Sequence, residues 1–99
     1  MDIQIHSVHF DADKKLIEFV ESKVNKLDQF YDNIIGAEVY LRVEKDQSPE
    51  NKLAEIKLQI PGNDLFAKKQ TDTFEESTDL AVSALRKQLT KRKAKQRGD

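Results

Sequence analysis

Three stretches of strict alternation follow one another with only short breaks, and they lie between two stretches of helical periodicity. Residues 35–44 set Ile35, Ala37, Val39, Leu41 and Val43 against Glu38, Tyr40, Arg42 and Glu44. Residues 53–60 set Ala54, Ile56, Leu58 and Ile60 against Glu55, Lys57 and Gln59. A weaker strand over 65–71 places Leu65 and Ala67 inward, with Phe66, Lys68 and Gln70 outward. A period of two gives each strand one apolar and one polar face. Ser48-Pro49-Glu50-Asn51 and Pro61-Gly62-Asn63-Asp64 read as the turns. One-sided strands joined by short turns predict an antiparallel meander with one wet face.

The flanking segments complete the pattern. Residues 2–8 alternate as a short strand. Asp11 and Asp13 then offer N-caps for a helix over 14–31. Leu16, Ile17, Val20, Val24, Leu27 and Tyr31 form its stripe, widened by Phe19 and Phe30. Lys15, Lys23 and Lys26 border the aromatic side, while Glu18, Glu21 and Asp28 lie opposite. Asp32-Asn33 and Gly36 end the helix. Thr73 and Glu76 have the spacing of a capping box for a second helix, whose stripe is Phe74, Thr78, Ala81, Val82, Leu85 and Leu89. That stripe stops at Leu89, so the helix is expected to run about two turns beyond its core.

The order is strand, helix, three strands, helix. One apolar face per element is satisfied by an α+β fold, β-α-β-β-β-α, with a four-stranded sheet and both helices on one face. Ninety-nine residues make one domain, with 91–99 a basic helix end and tail beyond the core.

Charge is the next constraint. The chain is 37% hydrophobic and 35% charged, and its longest apolar runs are two or three residues, which excludes a membrane-spanning helix. Residues 1–85 carry 10 Lys/Arg and 17 Asp/Glu, a net of −7. Residues 86–99 carry 7 Lys/Arg and one Asp, a net of +6. Arg86, Lys87, Lys91, Arg92, Lys93, Lys95 and Arg97 meet no acid before Asp99. Such segregation lets a near-neutral protein present one strongly positive surface to a polyanion. Both the acids near the start of the second helix and the cations at its end suit the helix dipole.

The motifs of catalysis and cofactor binding are missing. The chain has no GxGxxG, Walker-type loop, GxSxG or HExxH, so no cofactor and no enzymatic activity are expected. It has no cysteine, which excludes disulfides and thiolate chemistry and suits a reducing cytoplasm. Met1-Asp2-Ile3-Gln4 has neither a basic nor an apolar signal region, so no secretory signal is expected. His6 and His9 are three apart and point to opposite faces of a strand, which suits no single metal. Glu38, Glu44 and Glu55 share the wet sheet face, where solvation raises no carboxyl pKa for acid catalysis. Tyr40 and Phe66 on that face read either as a stacking platform for bases or as a cross-strand aromatic pair.

What is left is a basic end of the second helix beside Lys23 and Lys26 of the first. Two helices presenting such a patch suit folded RNA, which is recognised largely by shape and phosphate. If about five of these side chains neutralise phosphates, affinity falls roughly 100-fold between 50 and 200 mM salt.

Three segments carry a family resemblance. They are Phe19-Val20-Glu21-Ser22-Lys23-Val24-Asn25-Lys26-Leu27-Asp28-Gln29-Phe30-Tyr31-Asp32, Val43-Glu44-Lys45, and Lys87-Gln88-Leu89-Thr90-Lys91-Arg92-Lys93. The chain resembles the ribosome hibernation-promoting factors and ribosome-associated inhibitors, with the same element order throughout. The resemblance implies a fold like that of double-stranded-RNA-binding domains and a non-enzymatic protein. It also implies binding to the small ribosomal subunit, through ribosomal RNA, in the channel of mRNA and the A- and P-site tRNAs. Steric exclusion then stops translation and keeps idle ribosomes inactive, as in stationary phase or stress. Lys23, Lys26, Lys87, Lys91 and Lys93 match basic positions of the family; Arg86, Arg92, Lys95 and Arg97 are added from charge and geometry. Asp72-Thr73-Phe74-Glu75 departs from the usual start of the second helix, and Lys69 stands where a small inward residue is usual. The chain ends at Asp99 without the further domain of long members, which suggests the short type. A cytoplasmic monomer with no small-molecule substrate is expected. Two other readings stay open: a general double-stranded RNA-binding module, and a small protein-interaction or enzyme-accessory domain.

Overall fold

The computed structural model describes the backbone of residues 1–45 and 48–96, with side chains up to Ala94 in the last helix. The elements are β1 (Asp2–Val8), α1 (Lys14–Asn25) followed by a 3₁₀ turn (Lys26–Gln29), β2 (Gly36–Val43), β3 (Lys52–Ile60), β4 (Asn63–Thr71) and α2 (Phe74–Gln96). Arg97 and the rest of the expected tail lie outside the described residues.

The sheet is mixed, in the order β1-β2-β3-β4. β1 runs parallel to β2, with Ile3 opposite Ala37 and Ile5 opposite Val39. A parallel pair needs a long crossover, and α1 supplies it. The other two pairings are antiparallel, with Val39 opposite Ile56 and Ile56 opposite Ala67. The inward residues of the four strands meet Val20, Val24 and Leu27 from the first helical segment and Phe74, Ala81, Leu85 and Leu89 from α2 in one core. Both helices therefore pack on one face, as expected. Among the described residues no helix is long and apolar enough to cross a membrane.

Local chemistry sets the ends. Asp13, rather than Asp11, caps α1: its Oδ1 accepts the Leu16 N–H at 2.8 Å. The α-helix stops at Asn25, short of the expected 31, and tightens so that the Phe30 N–H donates to the Leu27 carbonyl at 3.0 Å. Bonds of this kind satisfy carbonyls that a helix end leaves open, and they let both Leu27 and Tyr31 reach the core. Thr73 Oγ1 accepts the Glu76 N–H at 3.1 Å, the expected half of a capping box. The Thr73 N–H itself donates to Thr71 Oγ1. Buried Ser77 donates to the Lys52 carbonyl at 2.7 Å, tying the start of α2 to β3.

Three details differ from the alternation. Ile35 is 61% exposed, because β2 begins one residue later and Ile34 enters the core instead. The second turn is shorter than its four-residue signal: Ile60 and Asn63 already pair, leaving Pro61-Gly62. Proline presets the first turn position and Gly62 takes φ 98°, a conformation a side chain would strain. Leu53, on the polar face by parity, is buried beside Arg42 and Gln70 in the register. Lys69 keeps its place opposite Ala54 and is exposed, since β4 is an edge strand from which its stem reaches water.

Candidate nucleic-acid interface

The interface starts from what α2 buries. Phe74, Thr78, Ala81, Leu85 and Leu89 face the sheet. At 100° per residue, the opposite side holds Ser83, Arg86, Lys87, Thr90 and Lys91, which line an open concavity of about 470 Å³. Between the cations stand only a serine and a threonine, so a phosphate backbone can approach the helix closely. Leu89 is the last fully buried residue among those described, and the helix continues to Gln96.

A second groove, about 230 Å³, runs between the helices and is lined by Lys23, Lys26, Phe30, Asp79 and Arg86 among others. It brings the two basic segments onto one surface. Here the Arg86 guanidinium lies 4.4 Å from the centroid of the Phe30 ring, a cation–π contact made while the residue stays exposed. Lys23 is differently placed. Its Nζ is 3.1 Å from Asp79 Oδ1 and 5.4 Å from the Phe19 centroid. Lys93 borders a small recess with Tyr31, Asp32 and Asn33.

Arg92 turns inward. Its terminal nitrogen donates to the Pro61 carbonyl at 3.1 Å, on the β3–β4 turn. It is thus held by the protein rather than presented with its neighbours. Lys95 lies in α2, but its side chain is outside the described residues. Among the described residues, Lys26, Arg86, Lys87, Lys91, Arg92 and Lys93 have no carboxylate within 4.0 Å. Among the described residues, the cations at the end of α2 are therefore left without a carboxylate partner.

The wet face of the sheet carries a separate cluster. The Tyr40 hydroxyl donates to Glu38 Oε2 at 2.7 Å, and the Tyr40 ring stacks on His6 with centroids 4.9 Å apart. That hydrogen bond, ahead of Lys57 and His6 and against some burial, holds the Glu38 carboxyl below the usual range and raises the Tyr40 hydroxyl. Tyr40 and Phe66 fall in different cross-strand rows, Tyr40 opposite Glu55 and Phe66 opposite Lys57, so they make no pair. His9 is exposed, and among the described residues there is no group of three or more His, Asp or Glu side chains placed to hold a metal ion.

Phe30, Gln88 and Asp79 matter to this surface in ways that spacing did not show. Phe30 supports Arg86, Asp79 pairs with Lys23, and Gln88 Nε2 donates to the Phe66 carbonyl at 2.9 Å. Each contact joins segments far apart in sequence, and each residue had a sufficient local explanation.

Residues 3–97 match the model of the family described as Sigma 54 modulation protein / S30EA ribosomal protein. The ribosome hibernation promoting factor of Escherichia coli (strain K12) is 30% identical over 95 residues, covering 96% of each chain. That of Pseudomonas putida is 29% identical over 96 residues, covering 97% of this chain and 90% of the relative. A ribosomal subunit interface protein from Coxiella burnetii superposes with a TM-score of 0.84 at 26% identity, over 95% of this chain and 99% of that one. The N-terminal domain of Protein Y from Thermus thermophilus shares the fold, with a TM-score of 0.79 at 23% identity, over 92% of this chain and 98% of that one.

Proposed function

This chain belongs to the Sigma 54 modulation protein / S30EA ribosomal protein family, with ribosome hibernation promoting factors among its relatives, and from that premise we propose how it acts. It is a ribosome-associated hibernation factor, a binding protein and not an enzyme. It binds the small ribosomal subunit in the channel of mRNA and the A- and P-site tRNAs and excludes them sterically. It acts in the cytoplasm and is a monomer off the ribosome. The observation that carries this reading is the exposed face of α2, where Arg86, Lys87 and Lys91 stand beside the Lys26 groove without an acidic partner among the described residues.

The chemistry is electrostatic. Phosphates of ribosomal RNA exchange condensed counterions for Lys26, Arg86, Lys87, Lys91, Lys93 and Lys95, and the ions released drive binding. Arg86 is the pre-organised member, because its guanidinium rests on Phe30 and loses less freedom when it meets a phosphate. The helix of 23 residues is about 35 Å long, enough for its end to reach into a narrow cavity while the stretch from Phe74 to Leu89 stays anchored on the sheet. Inhibition then needs no chemical step.

Cosedimentation with ribosomes over a salt series is the test. Co-migration with the small subunit, its affinity falling roughly 1,000-fold between 50 and 200 mM salt for six phosphate contacts, is expected. Competition by mRNA or tRNA should displace the protein. Equal binding to any RNA duplex would instead select the general double-stranded RNA-binding module, and indifference to ribosomes and RNA would overturn both.

A further inference from the structure

We propose that Arg92 and Gln88 are positioning residues, a pair of polar struts that pin the basic end of α2 to the β3–β4 hairpin. The functional consequence rests on the ribosome-binding reading above. The strut itself rests on geometry alone.

The two residues are four apart and so lie on one side of the helix. Gln88 donates to the carbonyl of Phe66 on edge strand β4 at 2.9 Å, and Arg92 donates to the carbonyl of Pro61 in the turn at 3.1 Å. Two acceptors on one hairpin hold the helix at two successive turns. Arg92 Nε is also sealed from solvent without a partner among the described residues. A guanidinium gripping a phosphate commonly offers it two parallel N–H groups. This one commits its inner edge to the protein.

The hairpin is shaped to receive it. A Cβ on Gly62 would come within 2.9 Å of the Arg92 terminal nitrogen. Glycine at 62 therefore serves the positive φ of the turn and also clears the seat of the guanidinium. Beyond Leu89 the helix has no fully buried apolar anchor. The Arg92 bond is what fixes its direction there. Lys91 and Lys93 follow, since each is one residue from the strut and projects about 100° to either side of it. Among the described basic residues of this segment, the one with the least exposure thus acts through its neighbours.

Two measurements on the full chain test this. Hydrogen exchange of amides 90–96 in Arg92→Ala and Gln88→Ala reports the strut without any ribosome present. Faster exchange in both, with cooperative melting retained, is expected. Ribosome binding over a salt series reports the consequence. Arg92→Ala should bind about tenfold more weakly and Gln88→Ala about threefold, the loss expected for one hydrogen bond each. Both should keep the wild-type salt slope, since neither removes a phosphate contact. Wild-type exchange in Arg92→Ala, with a slope reduced by about 0.7–0.9, would make Arg92 a phosphate contact and overturn the proposal. Failure of the wild-type protein to bind ribosomes overturns the function instead, and the exchange result still decides the strut.

Discussion

Lys23 Nζ of α1 lies 3.1 Å from Asp79 Oδ1 of α2, so one cation expected at the interface from the sequence is paired within the protein. Both side chains are partly exposed, at 32% and 50%, and such pairs contribute about 0–1 kcal/mol. To serve a phosphate, Lys23 must leave Asp79, and the carboxylate it leaves repels the incoming RNA. Asp79→Asn removes both obstacles. It should change stability by less than about 1 kcal/mol and raise ribosome affinity severalfold at low salt. Denaturant unfolding and cosedimentation check the two halves, and unchanged affinity would place Lys23 outside the interface.

Lys87, Lys91 and Lys93 are exposed, and none has a carboxylate partner among the described residues. Changing all three to Ala should leave unfolding free energy within about 1 kcal/mol of wild type. Ribosome binding should weaken strongly, and its salt slope should fall by about 2–3 as three phosphate contacts go. Titration calorimetry against small subunits at several salt concentrations gives both numbers. A slope unchanged by the triple substitution would move the contact surface elsewhere.

The fold was legible because its signals are local. Alternation at 37–43 and 54–60, the spacing of Thr73 and Glu76, and the stripe from Phe74 to Leu89 each determine one element. The shortfalls lie where tertiary contact decides. Nothing near Ile35 shows that the edge register starts the strand at Gly36 and sends Ile34 into the core. Nothing near Leu27 shows that the helix tightens there. Charge segregation marked the basic surface, since exposure of Lys and Arg is the default. It did not separate Arg92, bound to a carbonyl 31 residues away, from Lys91 and Lys93 beside it. A cation's partner is a property of the packed chain.

Leu85 anchors the middle of α2 and is fully buried against the sheet. Leu85→Ala should cost about 2–5 kcal/mol through lost burial and the cavity left behind. Its effect on binding should appear only under conditions where the variant begins to unfold. Thermal melting followed by cosedimentation well below the midpoint separates stability from recognition, the reverse of the lysine triple variant.

Thr78 is buried on the same stripe, and its Oγ1 has no hydrogen-bond partner among the described residues. An unsatisfied buried hydroxyl costs roughly 1–3 kcal/mol. Thr78→Val keeps the branched shape and removes that cost. The variant should match or exceed wild-type stability by up to about 2 kcal/mol. A loss above about 1 kcal/mol in denaturant unfolding would show that the hydroxyl is satisfied in solution.

The Tyr40–Glu38 hydrogen bond at 2.7 Å makes the wet sheet face sensitive to pH at both extremes. It favours ionised Glu38, with Lys57 and His6 adding to it, so the folded pKa is lowered. Its stabilisation is present above the unfolded carboxylate pKa and disappears as pH falls through the folded value. Tyr40 is shifted upward by the same bond, then by burial and the charges of Glu38 and Glu55. Its contribution is complete below the unfolded tyrosine pKa of about 10 and disappears as pH rises through the folded value. Tyr40→Phe removes the bond and keeps the ring on His6. Carbon-detected NMR titration should then show the Glu38 midpoint moving up toward the ordinary range. Because the cluster lies across the sheet from both helices, ribosome affinity near neutral pH should not change. A midpoint that stays put in Tyr40→Phe would assign the shift to Lys57 and His6.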